Sequence, residues 1–439
     1  MTTLISMIGT GKVVENEQNR QLKGYDKIDY SFDTGKTVST SCSTNAILKS
    51  SLYSIDKVVV IGTMTSAWGE LLEEPSTEEE ELFLRLLDDF EQKRDFDVKS
   101  EVAYELAALL RKRWSVQSVS FVAHDDALTL KTGSDIYEQY VDKCLKSEKD
   151  LILDITHAFR WMPMFLFSAL WYKQAVAHGL GNLRILYGEI RGKTGIIRQL
   201  DALWKGQKIA EAMSLFFDKF DADGLVGHIP IACSRLKNAL VDFGDSMQAD
   251  FLMPLVWDRE DALGGDYPLG ITVKQLRNGI SEVNKLEQCP VWLDWVAGEM
   301  YRWVENLRKC RYPSERLLVL ADMYAERRLW GQAVMALDVA LRIFACEYYQ
   351  PNIYPDWDMI GKNLETLKNC LARYENNDFH SIGKITVENI HNLMHTRNMI
   401  AHGTLNSVHD VSKTQVKPNL SKQYPMYKAA LVSLFSCRK

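Results

Sequence analysis

Short apolar runs that alternate with helical stretches most constrain the fold of this chain of 439 residues. The runs TLISMI, KVVVIG, VSFVA, LILDI and LRILYG recur through roughly the first 200 residues. Between them lie the helical segments STNAILKSSL, EEEELFLRLLDDFEQ, SEVAYELAALLRKRW and MFLFSALWYKQAVA. Strands of this length that alternate with helices are typical of a largely parallel sheet covered on both faces.

The strand pattern fades after about Leu203, and the remaining sequence has the 3.6-residue periodicity of helices. Segments such as VWLDWVAGEMYRWVENLRK and VENIHNLMHTRNMIAH show it clearly, and LADMYAERRLWGQAVMALDVALR is typical of a helical hairpin. We therefore predict an α/β domain with a mostly parallel, Rossmann-like sheet at residues 1–200. An all-α region is predicted for residues 201–439.

Charge and hydropathy exclude several classes of protein. The net charge is −6 and the pI is about 5.9, whereas proteins that coat nucleic acid are usually strongly basic. The most apolar stretch, MFLFSALW, is far shorter than the ~20 residues of a membrane span. The eight cysteines are scattered without a C-x-x-C pair, as in proteins of a reducing compartment. We expect a cytoplasmic protein with no membrane partner.

Three of the predicted strands, TLISMI, KVVVIG and LILDI, end in or run into small or polar residues. Parallel sheets bind ligands at the carboxyl ends of their strands. The third of these strands runs into a helix, whose first turn offers N–H donors to an anion. We therefore predict a pocket for a phosphate-containing ligand. The candidate ligand-binding residues are Gly9, Thr10, Gly11, Lys12, Gly62, Thr63, Ser66, Thr156, His157 and Arg160.

Each of these loops alone has a purely structural explanation. A Gly-Thr-Gly sequence after a strand serves as a tight turn, and His157 fits a buried, hydrogen-bonded imidazole. A dinucleotide-dependent enzyme is a further alternative, but GTGKVV lacks the third glycine of G-x-G-x-x-G. Three such loops on one sheet favour a pocket over three unrelated turns.

The segment HTRNMIAHGT raises a different question, because it places an arginine on an apolar helix stripe. Ile390, Leu393, Met394, Arg397 and Ala401 follow one face of a helix. A guanidinium there needs an anionic partner. That partner is either a carboxylate of the protein or a phosphate of a substrate. The polar residue Asn398 follows the arginine, and His402 lies in the last turn, where the helix dipole favours a protonated imidazole.

Other catalytic groups are disfavoured by the sequence. His391 and His395 have the spacing of a zinc protease motif, but Asn392 stands where its glutamate base would be. A G-x-S-x-G nucleophile motif is absent, and none of the cysteines has the setting of a nucleophile. The sequence therefore indicates neither a resident metal nor a cofactor.

Two motifs carry a resemblance to a known group of proteins. DITHAFR at 154–160 resembles the D-x-T-H-G motif of a family of CRISPR-associated accessory proteins, with Ala158 in place of the glycine. RNMIAH at 397–402 resembles the R-x4-6-H motif of HEPN ribonucleases. The starts IGTGK and IGTMTSAWGEL are similar to the N-terminal domain of the same family, whereas about 203–310 matches nothing by motif.

The resemblance implies a CARF domain at 1–200 and a HEPN ribonuclease within 201–439, with its core at about 311–439. Such proteins act in type III CRISPR defence as homodimers. A cyclic oligoadenylate would activate metal-independent cleavage of single-stranded RNA. We expect this activator to be the tetra-adenylate ring rather than the hexa-adenylate ring. The catalytic residues would be Arg397, Asn398 and His402, on a helix stripe that faces the same helix of a second subunit.

A second hypothesis uses the same residues without an enzyme. In it, the N-terminal pocket senses a nucleotide and the helical half recruits a partner protein. Arg397 would then belong to a structural ion pair. The two hypotheses differ in whether a change at Arg397 or His402 abolishes RNA cleavage while the fold stays intact.

Overall fold

The structure is a computed structural model that describes residues 1–15, 21–91, 96–125, 135, 138–140, 145, 150–159, 161–177, 181–258, 267–351, 353–373, 379, 381–402 and 419–438. At 12–15, 21–24, 87–91, 175–177 and 402 it describes the backbone alone. The chain divides into two compact units, Met1–Gly206 and Gln207–Lys439. The first unit holds an eight-stranded mixed sheet with helices, and the second is helical throughout its described residues.

The first unit contains ten described strands and four α-helices. The strands are β1 Thr2–Met7, β2 Lys12–Glu15, β3 Gln21–Gly24, β4 Ile28–Phe32, β5 Thr37–Thr40, β6 Lys57–Thr63, β7 Ser118–His124, β8 Asp150–Asp154, β9 Leu183–Arg191 and β10 Thr194–Gln199. The helices are α1 Ser43–Ser50, α2 Glu80–Glu91, α3 Glu101–Trp114 and α4 Trp161–Ala177. A helix α5, Asp201–Lys219, runs from the first unit into the second.

The main sheet has the strand order β5-β4-β10-β9-β8-β1-β6-β7, and β2 pairs with β3 in a separate hairpin. The five strands from β9 to β7 are mutually parallel. They are the five apolar runs that the sequence analysis identified as strands. At the other edge, β10 pairs antiparallel with β9 and β5 pairs antiparallel with β4.

The side chains on the two faces of the central strands belong to two separate hydrophobic cores. In β1, Leu4 packs on one side of the sheet with helices α1, α2 and α3, and Ile5 packs on the other side with α4. The same alternation holds in β6 for Val58 and Val59. Because successive side chains of a strand point to opposite faces, a strand buried on both faces is apolar along most of its length. That requirement explains why these runs are continuous rather than alternating.

The second unit contains the remaining described helices, packed around a single core. They are α6 Asp223–Val226, α7 Ser234–Gln248, α8 Met253–Val256, α9 Ile271–Val283, α10 Val291–Lys309, α11 Pro313–Glu326, α12 Trp330–Tyr349, α13 Trp357–Leu371, α14 Lys384–His402 and α15 Leu420–Phe435. The predicted helical hairpin is present as α11 and α12, which pack against each other. Helix α12 also contacts α13, α14 and α15, so it lies at the centre of this group. Within the described residues, no helix is long and apolar enough to span a membrane.

Helices α7 and α9 pack closely because α9 has a glycine where they meet. A Cβ atom at Gly279 would lie 2.5 Å from Cα of Leu236 and 2.7 Å from its backbone nitrogen. We expect Gly279→Ala to lower the free energy of unfolding by ~1–3 kcal/mol, as overpacking usually does. Chemical denaturation followed by tryptophan fluorescence measures it.

Gly298 in α10 is the matched control, because a Cβ atom there would meet nothing within 4 Å. Gly298→Ala is expected to stabilise the protein by ~0.5–1 kcal/mol through helix propensity. Equal stability changes in the two variants would contradict the packing described for α7 and α9.

Candidate functional site

The order of the parallel strands reverses at β1. The chain leaves β1 for β6 on one side, and β8 pairs with β1 on the other side. Ligands of open parallel sheets bind outside the carboxyl ends of the strands at such a reversal. A cavity of about 390 Å³ lies there. It is lined by Gly9, Thr10, Gly11, Tyr25, Asp26, Ile28, Tyr30, Ser41, Thr156, His157, Ala158, Phe159, Ile190 and Gly192.

A buried carboxylate organises the end of β8 beneath this cavity. Asp154 is fully buried, and its Oδ2 accepts hydrogen bonds from the hydroxyls of Ser6 at 2.7 Å and Ser43 at 2.6 Å. Its Oδ1 accepts from the backbone nitrogen of Thr156 at 3.1 Å and from the Thr156 hydroxyl at 2.6 Å. A buried carboxylate is tolerated when it is hydrogen-bonded in this way. Asp154 therefore ties β1, α1 and the loop after β8 together.

The loop after β1 is fixed by a tyrosine from outside the parallel core. The Tyr25 hydroxyl accepts a hydrogen bond from Gly9 N at 2.8 Å and donates one to Gly9 O at 2.9 Å. A Cβ atom at Gly9 would lie 2.7 Å from the backbone oxygen of His157, so the approach of the two loops requires glycine. The rings of Tyr25 and His157 lie with their centroids 4.3 Å apart. These contacts close one wall of the cavity.

The imidazole of His157 is held in its neutral form. Burial lowers the pKa of His157 below its ordinary value, and the charge of Asp154 opposes only part of that shift. Its Nε2 lies 3.0 Å from the Tyr30 hydroxyl. Burial raises the pKa of Tyr30, so the phenol keeps its proton. With Tyr30 as the donor, the imidazole proton resides on Nδ1, which can donate to an anion.

The predicted residues near β1 and β8 line the cavity, but their roles differ. Thr156 lines it, yet its hydroxyl already donates to Asp154 and accepts from Gly188 N at 2.8 Å. Its side chain therefore supports the loop. The backbone of Lys12 lies at the start of β2, and its side chain is outside the described residues, as is all of Arg160. The contacts predicted for these two cations stay predictions.

The predicted residues at the end of β6 and in the loop after it, Gly62, Thr63 and Ser66, are not among the residues that line the cavity. The Ser66 hydroxyl donates to Ile8 O at 2.9 Å and accepts from Thr63 N at 2.8 Å. Thr63 and Ser66 are buried, and Gly62 lies under the side chains of Ser66 and Trp68. This loop follows β6, which pairs with β1 on the side opposite β8. Through the hydrogen bond of Ser66 it stabilises the loop after β1. Its hydroxyls are engaged within the protein.

Sequence reasoning missed the residues that line the cavity from the antiparallel edge. Tyr25 precedes β4, Tyr30 lies within it, and Ser41 follows β5. These strands are short and rich in polar residues, so they gave no strand signal. The alternation of buried and exposed positions in IDYSF, with Tyr30 fully buried, is the pattern that could have revealed β4.

The helix that carries the second motif is α14, which ends at His402 as the sequence predicted. Ile390 and Leu393 are fully buried, and Ala401 is exposed. The apolar stripe therefore ends before Ala401. Arg397 lies at its margin, with its side chain 27% exposed. Its Nη1 donates to Asn398 Oδ1 at 3.2 Å. The side chain of His402 lies outside the described residues.

Arg397 has an anionic partner in its own chain, one of the two kinds that the sequence left open. Its Nε lies 3.5 Å from Oδ2 of Asp338, a carboxylate of α12 that is 1% exposed. The Nε of Arg342 donates to the same oxygen at 2.6 Å. Sequence reasoning missed Asp338, although an aspartate four residues before an arginine in the apolar segment MALDVALR marks it.

The paired histidines of α14 have no metal-binding surroundings in the structure. His391 and His395 are both exposed. Among the described residues, no three histidine, cysteine, aspartate or glutamate side chains come together as a metal site.

The first unit is an α/β domain whose cavity at the strand reversal is the candidate ligand site. Comparison with known families is more specific, since residues 3–187 match the family described as CRISPR system endoribonuclease Csx1, CARF domain. The matched segment contains every residue that lines the cavity except Ile190 and Gly192. The first unit is thus similar to the CARF domains of CRISPR-associated proteins.

Two further likenesses extend over nearly the whole chain. CRISPR-associated protein MJ1674 of Methanocaldococcus jannaschii is 22% identical over 434 residues, which are 94% of this chain and 63% of that protein. The solved structure of Enterococcus italicus Csm6 bound to cyclic hexa-2'-fluoro-hexa-dAMP is 12% identical with a TM-score of 0.32. That match covers 99% of this chain and 93% of the other. At so low a TM-score, it supports neither a shared fold nor a shared ligand.

The lowered pKa of His157 predicts a dependence of stability on pH. Below its ordinary pKa of about 6.5, the unfolded chain binds a proton that the native imidazole resists. Stability from this group is therefore complete above about pH 7 and is lost as the pH falls through 6.5. We expect His157→Gln, which can still hydrogen-bond to Tyr30, to lose less stability than the wild type between about pH 7.5 and 5.5. Denaturant titrations at the two pH values measure the difference, and equal losses would contradict the shift.

Proposed function

We propose that the protein is a single-stranded RNA endoribonuclease of type III CRISPR antiviral defence, activated by a cyclic oligoadenylate. The observation that carries the proposal is the match of residues 3–187 to a CARF domain, together with the cavity at the strand reversal. The R-N-x-x-x-H spacing of Arg397, Asn398 and His402 on α14 supports the ribonuclease assignment.

The cavity suits one part of a cyclic oligoadenylate. Its volume of about 390 Å³ lies at the lower end of the ~300–1,000 Å³ of small-ligand pockets. A ring of four or six nucleotides therefore needs more than one chain. A homodimer with two-fold symmetry would place two such cavities around a ring of even symmetry. Lys12, Arg160 and the first turn of α4 would supply the positive potential for its phosphates.

The cleavage that we propose is an internal transfer at phosphorus. The RNA 2′-oxygen forms a bond to the adjacent phosphorus, and the bond from phosphorus to the 5′-oxygen breaks. The 2′-hydroxyl loses its proton to a base, and the leaving 5′-oxygen gains one from an acid. The products are a 2′,3′-cyclic phosphate and a 5′-hydroxyl. The nucleophile belongs to the substrate, and the resemblance to HEPN ribonucleases implies that the reaction uses no metal.

The three polar residues of α14 divide this work by their chemistry. The Arg397 guanidinium can stabilise the charge that develops on the phosphorane, a type of contact worth ~10²–10³ in rate. His402 is the acid–base candidate, a role typically worth ~10²–10⁴. Asn398, which is exposed and accepts a hydrogen bond from Arg397, would orient the guanidinium.

Activation requires that the messenger bind the active arrangement more tightly than the resting one. A shift from ~1% to ~99% active needs about 10⁴-fold tighter binding to the active state. A polyanionic ring held by two copies of the cavity gains each contact twice, which favours a large difference between the states.

One observation favours a second candidate function, a nucleotide sensor without catalysis. Arg397 already has a carboxylate partner in Asp338, as a purely structural arginine would. In this alternative, the helical unit recruits a partner protein when the cavity is filled. The assay that follows decides between the two functions.

A fluorogenic single-stranded RNA assay with cyclic tetra- or hexa-adenylate tests catalysis. We expect Arg397→Ala to lower the activated rate by ~10²–10³ and His402→Ala by ~10²–10⁴. EDTA is expected to have little effect. Messenger binding should be unchanged in both variants, because the changes lie in the other unit. Full activity in both variants, or loss of activity with EDTA, would overturn the assignment.

Isothermal titration with the same cyclic oligoadenylates tests the cavity. We expect His157→Ala to weaken binding, because His157 lines the cavity and can donate a hydrogen bond. It should raise the messenger concentration needed for half-activation and leave the maximal rate unchanged. Ser66→Ala is the control, because the Ser66 hydroxyl is engaged behind the cavity wall. Equal affinity for wild type and His157→Ala would place the messenger elsewhere.

A further inference from the structure

A buried carboxylate of α12 lies against two arginines, one from α12 itself and one from α14. Asp338 is 1% exposed, and its Oδ2 accepts a hydrogen bond from Arg342 Nε at 2.6 Å. The same oxygen lies 3.5 Å from Arg397 Nε, so α12 and α14 are joined through a single atom. One arginine is enough to neutralise this carboxylate. The second leaves one positive charge in excess.

The arrangement leaves the outer nitrogens of both guanidinium groups available. Both arginines face Asp338 through Nε. In the part of the chain that the structure describes, their Nη atoms make one hydrogen bond, from Arg397 to Asn398. The side chains are 25% and 27% exposed, so solvent reaches them. The Nη atoms of a guanidinium form the fork that binds phosphate oxygens.

The carboxylate itself is incompletely satisfied. Within the described residues, Asp338 Oδ1 has no hydrogen-bond partner, although it is buried. A buried polar atom without a partner costs free energy and is uncommon in native proteins. Such costs concentrate at functional sites, where geometry matters more than stability. A surface ion pair kept only for stability would not need a buried aspartate.

We infer that Arg342 is a second phosphate-binding residue of the proposed ribonuclease site, and that Asp338 positions the guanidinium groups of Arg342 and Arg397. This inference rests on the proposed function and extends it to two residues of α12. Neither the R-x4-H motif nor the family comparison includes them, since the match ends at residue 187.

The charges explain why two arginines and one aspartate suit the reaction. A phosphodiester carries one negative charge, and attack by the 2′-oxygen develops further negative charge on the phosphorane oxygens. At rest, the excess positive charge matches the substrate phosphate. In the transition state, both guanidinium groups face negative oxygens, and Asp338 keeps them from turning away. Preorganised donors of this kind pay no reorganisation cost during the reaction.

The test is steady-state kinetics with messenger-activated protein and fluorogenic RNA. We expect Arg342→Ala to lower kcat/KM by about 10²-fold, and Arg342→Lys to recover only part of it because lysine lacks the fork. Asp338→Asn should lower kcat, on the order of 10²-fold, because the guanidinium groups lose their anchor. Its KM should stay or fall, because removing the carboxylate raises the local positive charge.

Two matched variants control for loss of charge elsewhere in the same unit. Arg308→Ala removes an arginine whose ion pair, with Glu305, lies on the surface of α10. Asp322→Asn removes a carboxylate of α11 that binds Lys428 and Tyr424. Both should keep the kcat and KM of the wild type. Unfolding curves report whether each variant is folded.

The outcomes separate this inference from the proposed function. If Arg397→Ala and His402→Ala are inactive but Arg342→Ala keeps the kcat and KM of the wild type, the inference is overturned and the ribonuclease proposal stands. A parallel fall of kcat and rise of KM in Asp338→Asn would show that Asp338 is merely structural. If Asp338→Asn does not fold, Arg342→Ala decides, since Arg342 is partly exposed. A wild-type protein without ribonuclease activity overturns both proposals.

Discussion

The cavity of the first unit depends on how the buried charge of Asp154 is satisfied. Four hydrogen bonds from Ser6, Ser43 and Thr156 converge on it, and they come from three separate segments of the chain. A carboxylate that has left water must find such donors, so its burial fixes the end of β8 against β1 and α1. The loop after β8 then approaches Gly9 closely, and His157 comes to rest on Tyr25. The shape of the cavity follows from one charge and its donors.

The sequence was most informative where burial is two-sided. Strands such as β1 and β6 are apolar along most of their length because both faces are covered, and a continuous apolar run of this kind is easy to recognise in a sequence. Strands β4 and β5 at the antiparallel edge are short and expose polar residues on one face. The sequence pattern therefore did not predict them, and Tyr30 of β4 was not recognised as a cavity residue. The position of His402 in the last described turn of α14 was predicted because a glycine, Gly403, follows it in the sequence.

The candidate sites were predicted less completely than the fold, and the reason is physical. A hydroxyl after a strand can bind a ligand or a neighbouring backbone atom, and sequence does not distinguish the two. Thr156 lines the cavity, but its hydroxyl is hydrogen-bonded to Asp154 and Gly188. The hydroxyl of Ser66 is hydrogen-bonded to the backbone of Ile8 and Thr63. Likewise, the partner of Arg397 lies 59 positions earlier in the chain at Asp338. Only the packing of α12 on α14 brings the two together.

The pair of arginines on Asp338 has a thermodynamic consequence for the helical unit. Asp338 is shared by two arginines, so each guanidinium has only part of one carboxylate to balance its charge. A chain selected only for thermal resistance would place a second carboxylate beside Arg342 and remove the imbalance. On the inference drawn above, a polyanion that binds these two arginines would stabilise the folded chain by mass action, with a free energy that rises with the logarithm of its concentration relative to its Kd. A rise of the melting temperature with added polyanion would therefore report binding at these arginines without any measurement of catalysis.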